Sequence, residues 1–237
     1  MAPIDGIRAC VFDAYGTLFD FASAAARCRD IPDEQRAALT TLWRDKQLQY
    51  TWLRSLQGRY ADFRQVTADA LDFTLETLGI ASPALHARLM ALYETLTPFP
   101  EVADTLRSLR AAGFRTAILS NGTPAMLDAA VRAGGLHDLF DAVLSADAVQ
   151  RFKTHPAVYE YALRQLGLRT DQVSFQSSNG WDAYAASAFG MRVVWCNRYG
   201  QRREHLPGAP DREVRSLAEL PALLAPAPPG AAARARS

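Results

Sequence analysis

The sequence contains no apolar run approaching the roughly 20 residues that a membrane-spanning helix requires. Its N-terminus, MAPIDGIRACVFD, lacks the basic start and long apolar stretch of a secretory signal. Cysteine is scarce: Cys10, Cys28 and Cys196 are the only three, and no CxxC occurs. This argues against a disulfide framework and against a thiolate zinc site. The chain is therefore expected to be cytoplasmic, with reduced thiols. Charge of one sign is also missing, since 26 Lys and Arg face 25 Asp and Glu. Bulk electrostatics thus predict neither nucleic acid nor a membrane surface as partner. No internal repeat is present. What remains is a 237-residue chain, 49% hydrophobic, long enough for a sizeable core and for one or two domains.

The pattern of apolar residues divides the chain. Ile7–Phe12 is an apolar run of strand length, and Gly16 signals a turn just after it. Helical periodicity follows. Over Asp33–Leu56 it places Leu39, Leu42, Trp43, Leu48, Trp52, Leu53 and Leu56 near one broad face. A second helix is expected over Ala61–Leu78, closed by Gly79, and a third begins at Ser82-Pro83. From Phe99 onward strands and helices alternate. Helices are expected over Glu101–Ala112, Pro156–Leu166 and Trp181–Phe189. Strands are expected over Thr116–Ser120, Ala142–Ser145, Val173–Ser177 and Arg192–Asn197. Such alternation implies parallel βαβ units with right-handed crossovers. The fold class is α/β, a Rossmann-like parallel sheet with a helical insert after the first strand. The expected core is residues 1–18 and 98–220, the insert 19–97, and a disordered Ala/Pro-rich tail 221–237.

Open α/β sheets bind ligands beyond the C-terminal ends of their strands. Four such ends carry polar groups. They are Asp13; Ser120-Asn121; Lys153, in the loop beyond Ser145; and Ser177-Ser178-Asn179 with Asp182. Singly, each has a bland reading. Asp13, Ser120 and Asn121 suit turns, Lys153 suits a solvated surface, and Asp182 suits the first turn of a helix. Their shared edge of the sheet argues instead for a reaction centre with two carboxylates, an ammonium and neutral donors.

VFDAYGTLFD, LSNG, FKTHP and SSNGWD resemble the four motifs of the haloacid dehalogenase superfamily. The insert segment LWRDKQLQYTWLRSLQGRY resembles the cap of its L-2-haloacid dehalogenase branch. The resemblance spans about residues 7 to 195 and implies that superfamily's fold, with a cap domain. Departures from the phosphatases of the superfamily are informative. They carry Asp-x-Asp, and Tyr15 stands at the second position here. They place a magnesium-binding aspartate where this chain has Ser178. Magnesium favours charged oxygen ligands, so no metal and no cofactor are expected.

The resemblance implies that Asp13 attacks carbon 2 of a small 2-halocarboxylate, releasing halide and forming an ester. Water then attacks the ester carbonyl, giving a D-2-hydroxy acid from an L-2-haloacid. Lys153 would keep Asp13 ionised. Asp182 would act as base for the water, with Asn179 and Ser177 positioning it. Thr17 would orient Asp13. Ser120 and the backbone N–H groups of Ala14 and Tyr15 suit the substrate carboxylate. Tyr159 would order Lys153 or the carboxylate. Arg44, Asn121 and Trp181 would form the halide cradle, for which a weakly hydrated guanidinium is well suited. Trp52, Phe63 and Tyr50 are candidate pocket or core aromatics, and His155 a loop residue. Relatives of this kind are often homodimers, which the apolar Asp33–Leu56 helix allows. The alternatives are hydrolysis of a fluorinated acid or a strained ring, a phosphatase, and a catalytically silent binding module.

Overall fold

The apolar run before Asp13 becomes strand β1 (Ala9–Phe12), every residue of which is buried. A strand apolar on both faces belongs at the centre of a sheet covered on both sides. The computed structural model, which describes residues 2–226, places it there. The chain then turns at Gly16, whose φ of +88° suits glycine, and enters the short strand β2 (Phe19–Asp20). Helices α1 (Ser23–Arg27), α2 (Asp33–Gln57), α3 (Phe63–Thr77) and α4 (Pro83–Glu94) follow. Strand β3 (Thr97–Pro98) returns antiparallel to β2, closing the insert where it began. The remainder alternates: α5 (Val102–Ala111), β4 (Arg115–Ser120), α6 (Pro124–Ala133), β5 (Ala142–Ser145), α7 (Pro156–Leu166), β6 (Val173–Ser177), α8 (Gly180–Phe189) and β7 (Arg192–Cys196). A short strand β8 (Arg212–Val214) and a last turn of helix α9 (Leu220–Leu223) complete it.

The main sheet runs β5-β4-β1-β6-β7-β8, and all its pairings are parallel. After β1 the chain builds toward β4 and β5; after β6 it builds the other way. The strand order therefore reverses between β1 and β6. That reversal opens a crevice at their C-terminal ends, where the loops diverge. Asp13 follows β1, and Ser177 ends β6, so both stand at this crevice.

The insert is held by a narrower stripe than the periodicity predicts. In α2 the buried positions are Leu39, Trp43, Gln47 and Thr51, one every fourth residue. Leu53 and Leu56, expected on the buried face, are exposed at 45% and 84%. Two polar residues take inner places because their hydrogen bonds are satisfied. Gln47 Nε2 donates to Thr67 Oγ1 at 2.7 Å, and Thr51 Oγ1 to the Leu48 carbonyl at 2.6 Å. Trp43 Nε1 donates to the Thr67 carbonyl of α3 at 2.9 Å. Burying a large apolar side chain of this kind contributes about 1.5–3 kcal/mol.

Side-chain caps fix several helix starts. Asp62, Ser82 and Thr123 each accept a backbone N–H at the head of α3, α4 and α6. Replacing such a cap by alanine costs about 1 kcal/mol. Gly79, at φ +68°, follows the end of α3.

The expected disordered tail is corrected at its start. Leu220 and Leu224 are buried, Leu224 bridges to Ile4, and Ala225 N donates to the Ile4 carbonyl at 2.9 Å. Leucines set among alanine and proline are enough to dock this segment. The remainder of the tail, 227–237, lies outside the described residues.

Candidate active site

Asp13 leaves the end of β1 with its side chain 8% exposed and its carboxylate held on both oxygens. Oδ2 accepts from Thr17 Oγ1 at 3.0 Å and from Asn179 Nδ2 at 2.8 Å. Oδ1 accepts from Lys153 Nζ at 3.1 Å. Thr17 reaches back four residues because the turn at Gly16 folds the chain over the Ala14 carbonyl, which accepts from Thr17, Leu18 and Phe19. Thr17 Oγ1 also accepts from Ser178 N at 2.8 Å, joining the loop after β1 to the loop after β6.

Lys153 is buried, not solvated, and its ammonium bridges two carboxylates. Nζ lies 2.9 Å from Asp182 Oδ2, the second partner after Asp13. The same nitrogen sits 5.0 Å from the centre of the Phe175 ring. Burial alone would lower the Lys153 pKa, yet Asp13 and Asp182 together raise it above the ordinary value. Asp182, fully buried in the first turn of α8, has its pKa raised by that burial, with Lys153 opposing the shift. Tyr159 from α7 donates to Asp182 Oδ1 at 2.8 Å, so it orders this carboxylate and makes no direct bond to Lys153. Burial, then the neighbouring Asp182, pushes the Tyr159 phenol well above its usual range.

Asn179 is the hinge of the polar network. Its Nδ2 also donates to the Tyr15 carbonyl at 3.2 Å, and its Oδ1 accepts from Arg44 Nη2 at 3.2 Å. Ser177 accepts from Asn179 N at 3.1 Å and reaches the carboxylate only through that residue. Arg44 crosses from α2, and Gln47 fixes it: Nη1 donates to Gln47 Oε1 at 2.8 Å. The Phe21 ring lies 5.2 Å from the guanidinium carbon.

On the other side of Asp13, Asn121 Oδ1 accepts from Lys153 N at 2.9 Å. This orients the amide and leaves Nδ2 as a donor without a protein partner among the described residues. Ser120 Oγ accepts from Gly122 N at 3.2 Å. The N–H groups of Ala14 and Tyr15, in a buried turn, have no acceptor among the described residues. Unpaired buried donors are uncommon, and these suit an anionic group. The Tyr15 ring stacks on Tyr93 at 5.3 Å and meets Phe63 at 5.5 Å, so Phe63 is core against Tyr15. Burial raises the Tyr15 phenol well above its usual range, which removes it from acid–base work near neutral pH. Its hydroxyl lies 2.8 Å from where a Cβ on Gly122 would stand, which gives that glycine its reason.

Trp181 meets Trp52 edge-on at 5.5 Å. Both line a cavity of about 420 Å³ between the insert and the sheet, with Arg44, Asn179, Tyr199 and Glu204. Asp13 lies behind Asn179 and does not line it. Tyr50 is partly buried against the core, and His155 caps α7 by accepting from Ala157 N.

Three contributors escape sequence reasoning: Gln47, Phe21 and Phe175. Gln47 alone left a signal, a polar residue three positions after Arg44 inside an apolar helical stripe. Among the described residues, no group of three or more His, Cys, Asp or Glu could hold a metal. A cation between Asp13 and Asp182 would have to displace the Lys153 ammonium, and Ser178 offers only a neutral hydroxyl; the donors do not fit magnesium.

The model of the haloacid dehalogenase-like hydrolases matches residues 7–190. An (S)-2-haloacid dehalogenase 1 from Pseudomonas sp. (strain CBS-3) is 45% identical over 222 residues, covering 93% of this chain and 98% of that protein. An (S)-2-haloacid dehalogenase from Pseudomonas sp. (strain YL) is 46% identical over 215 residues, covering 90% and 93%. The L-2-haloacid dehalogenase from Xanthobacter autotrophicus with chloropropionic acid covalently bound superposes with a TM-score of 0.86. It is 41% identical and covers 92% of this chain and 98% of that one.

Proposed function

The chain belongs to the haloacid dehalogenase-like hydrolases, and we propose that it hydrolyses short L-2-haloacids to D-2-hydroxy acids through an ester on Asp13. One observation carries this reading. The Asp13 carboxylate is held by Thr17, Asn179 and Lys153 in a nearly closed site, with a second carboxylate on the same ammonium.

A carboxylate is a weak nucleophile in water, and displacement at carbon needs it ionised and poorly hydrated. Lys153 supplies the counter-charge without covering Oδ2. The haloacid's own carboxylate binds Ser120 and the free N–H groups of Ala14 and Tyr15, presenting carbon 2 to Asp13. Halide departs toward Arg44, Asn121 and Trp181. Displacement breaks the carbon–halogen bond, inverts carbon 2 and leaves an ester. Asp182, held by Tyr159 and Lys153, takes a proton from water as that water attacks the ester carbonyl. Asn179 and Ser177 position the water. The Asp13–substrate bond then opens at the acyl carbon, regenerating the carboxylate and preserving the inverted configuration.

The reading carries three further proposals. Residues 19–97 form a cap over a core of 1–18 and 98–220, supported by the separate β2–β3 pair at their junction. The chain forms a homodimer, supported by exposed Leu53, Leu56 and Phe73 on the insert. It works in the cytoplasm, supported by three free cysteines; no helix among the described residues is long and apolar enough to cross a membrane.

The test is chloride release from each enantiomer of 2-chloropropionate, with and without a chelator. Chloride from the L form alone, unaffected by chelation and abolished in Asp13→Asn, supports the proposal. Magnesium-dependent phosphate release with no halide from any haloacid overturns it.

A further inference from the structure

Arg198 stands two residues beyond β7 and has no part in the chemistry above. Its side chain is 9% exposed. Nη2 donates to the Thr17 carbonyl at 2.9 Å. Nη1 forms an ion pair with Glu101 Oε1 at 2.5 Å. The guanidinium carbon lies 4.0 Å from the centre of the Phe99 ring. These contacts fall on two separate stretches of chain. Thr17 precedes β2, the outgoing link to the helical insert; Phe99 and Glu101 follow β3, the returning link. The links already pair with each other, and Phe99 N donates to the Leu18 carbonyl at 2.9 Å. One side chain thus grips both connections. A planar guanidinium can meet a carbonyl, a carboxylate and a ring face at once, which a lysine cannot.

Thr17 is also the residue whose hydroxyl orients Asp13 and accepts from Ser178 N. Its carbonyl and hydroxyl share one short backbone segment, so displacing the first displaces the second. We propose that Arg198 is a positioning residue for Asp13, holding Thr17 and the returning link together so that the nucleophile stays aligned. In its kinetic consequences this rests on the dehalogenase reading.

The experiment compares wild type with Arg198→Gln, Arg198→Lys, Thr17→Val and the Arg198→Gln/Thr17→Val double variant. Chloride release and backbone hydrogen exchange are both measured. Small misplacements near a reacting group cost up to about 100-fold, so Arg198→Gln should lower kcat about 10- to 100-fold with KM within about twofold. Because Arg198 acts through Thr17, the double variant should fall no more than about twofold below the poorer single one. Arg198→Lys, the milder change, should fold and recover part of kcat. In Arg198→Gln, or in Arg198→Lys if the glutamine variant does not fold, the amides of Leu18, Phe19 and Phe99 should exchange faster together. A wild-type kcat in Arg198→Gln, losses that multiply in the double variant, or unchanged exchange at these amides would overturn the proposal. If wild type releases no halide from any haloacid, the reaction reading fails, and exchange alone decides on the clamp.

Discussion

The Lys153 ammonium lies 3.1 Å from Oδ1 of Asp13, with both side chains nearly closed to solvent. Asp182 is its second partner, at 2.9 Å. Removing the ammonium leaves two buried carboxylates facing each other. Lys153→Met should therefore destabilise the fold by about 3–5 kcal/mol, read from urea unfolding. It should also lower kcat about 10²–10³-fold or more. An unfolding midpoint equal to wild type would mean the bridge is not formed in solution.

The two halves of catalysis should separate at Asp182. If it activates water only in the second step, Asp182→Asn still forms the ester and cannot discharge it. Mass spectrometry after mixing with L-2-chloropropionate should find one substrate residue, less halide, on the peptide holding Asp13, with one burst of chloride. Steady turnover without an accumulated ester would assign the base elsewhere.

Protonation follows from the directions of shift. Burial raises the Asp182 pKa above its ordinary 3.8, so the acid limb of kcat should lie above that value. A limb at or below it would contradict the role. Stability has its own sign. Because the folded pKa of Asp182 is raised, its contribution declines as pH climbs from 3.8 through the folded value. The Lys153 pKa is also raised, so its contribution is intact below 10.5 and lost as pH rises through the folded value. Urea midpoints of wild type should drop above 10.5, and those of Lys153→Met should not show this component.

Arg44 reaches Asn179 at 3.2 Å, and Gln47 helps to hold it there through a 2.8 Å hydrogen bond. Arg44→Ala should reduce kcat about 10²–10³-fold. Arg44→Lys should restore only part, since a strongly hydrated ammonium is a poorer host for halide. Gln47→Leu should act in the same direction more weakly. An Arg44→Lys enzyme as fast as wild type would show that charge alone suffices.

The polar residues at strand ends were legible because each follows an apolar run of strand length, and the alternation of elements places those ends on one edge. The sheet order was not legible: pairing β1 between β4 and β6 depends on contacts far apart in sequence. Tyr159 was assigned to the site, but its partner, Asp182, needed coordinates. Leu53 and Leu56 misled because periodicity counts apolar residues and ignores buried ones that are polar; Gln47 and Thr51 hold the inner face through hydrogen bonds. Arg198 gave no signal, since an arginine after a strand is ordinarily a surface residue. The docking of Leu220 and Leu224 was masked by the alanines and prolines around them.

The central claim, that Asp13 itself bonds to carbon, is tested most directly by one turnover in oxygen-18 water with enzyme in excess over L-2-chloropropionate. If the Asp13 carboxylate attacks, the first hydroxy acid formed carries an unlabelled oxygen taken from the enzyme. The label then appears in the peptide containing Asp13. Labelled hydroxy acid from the first turnover, with Asp13 unlabelled, would show that water attacks carbon directly and would contradict the account.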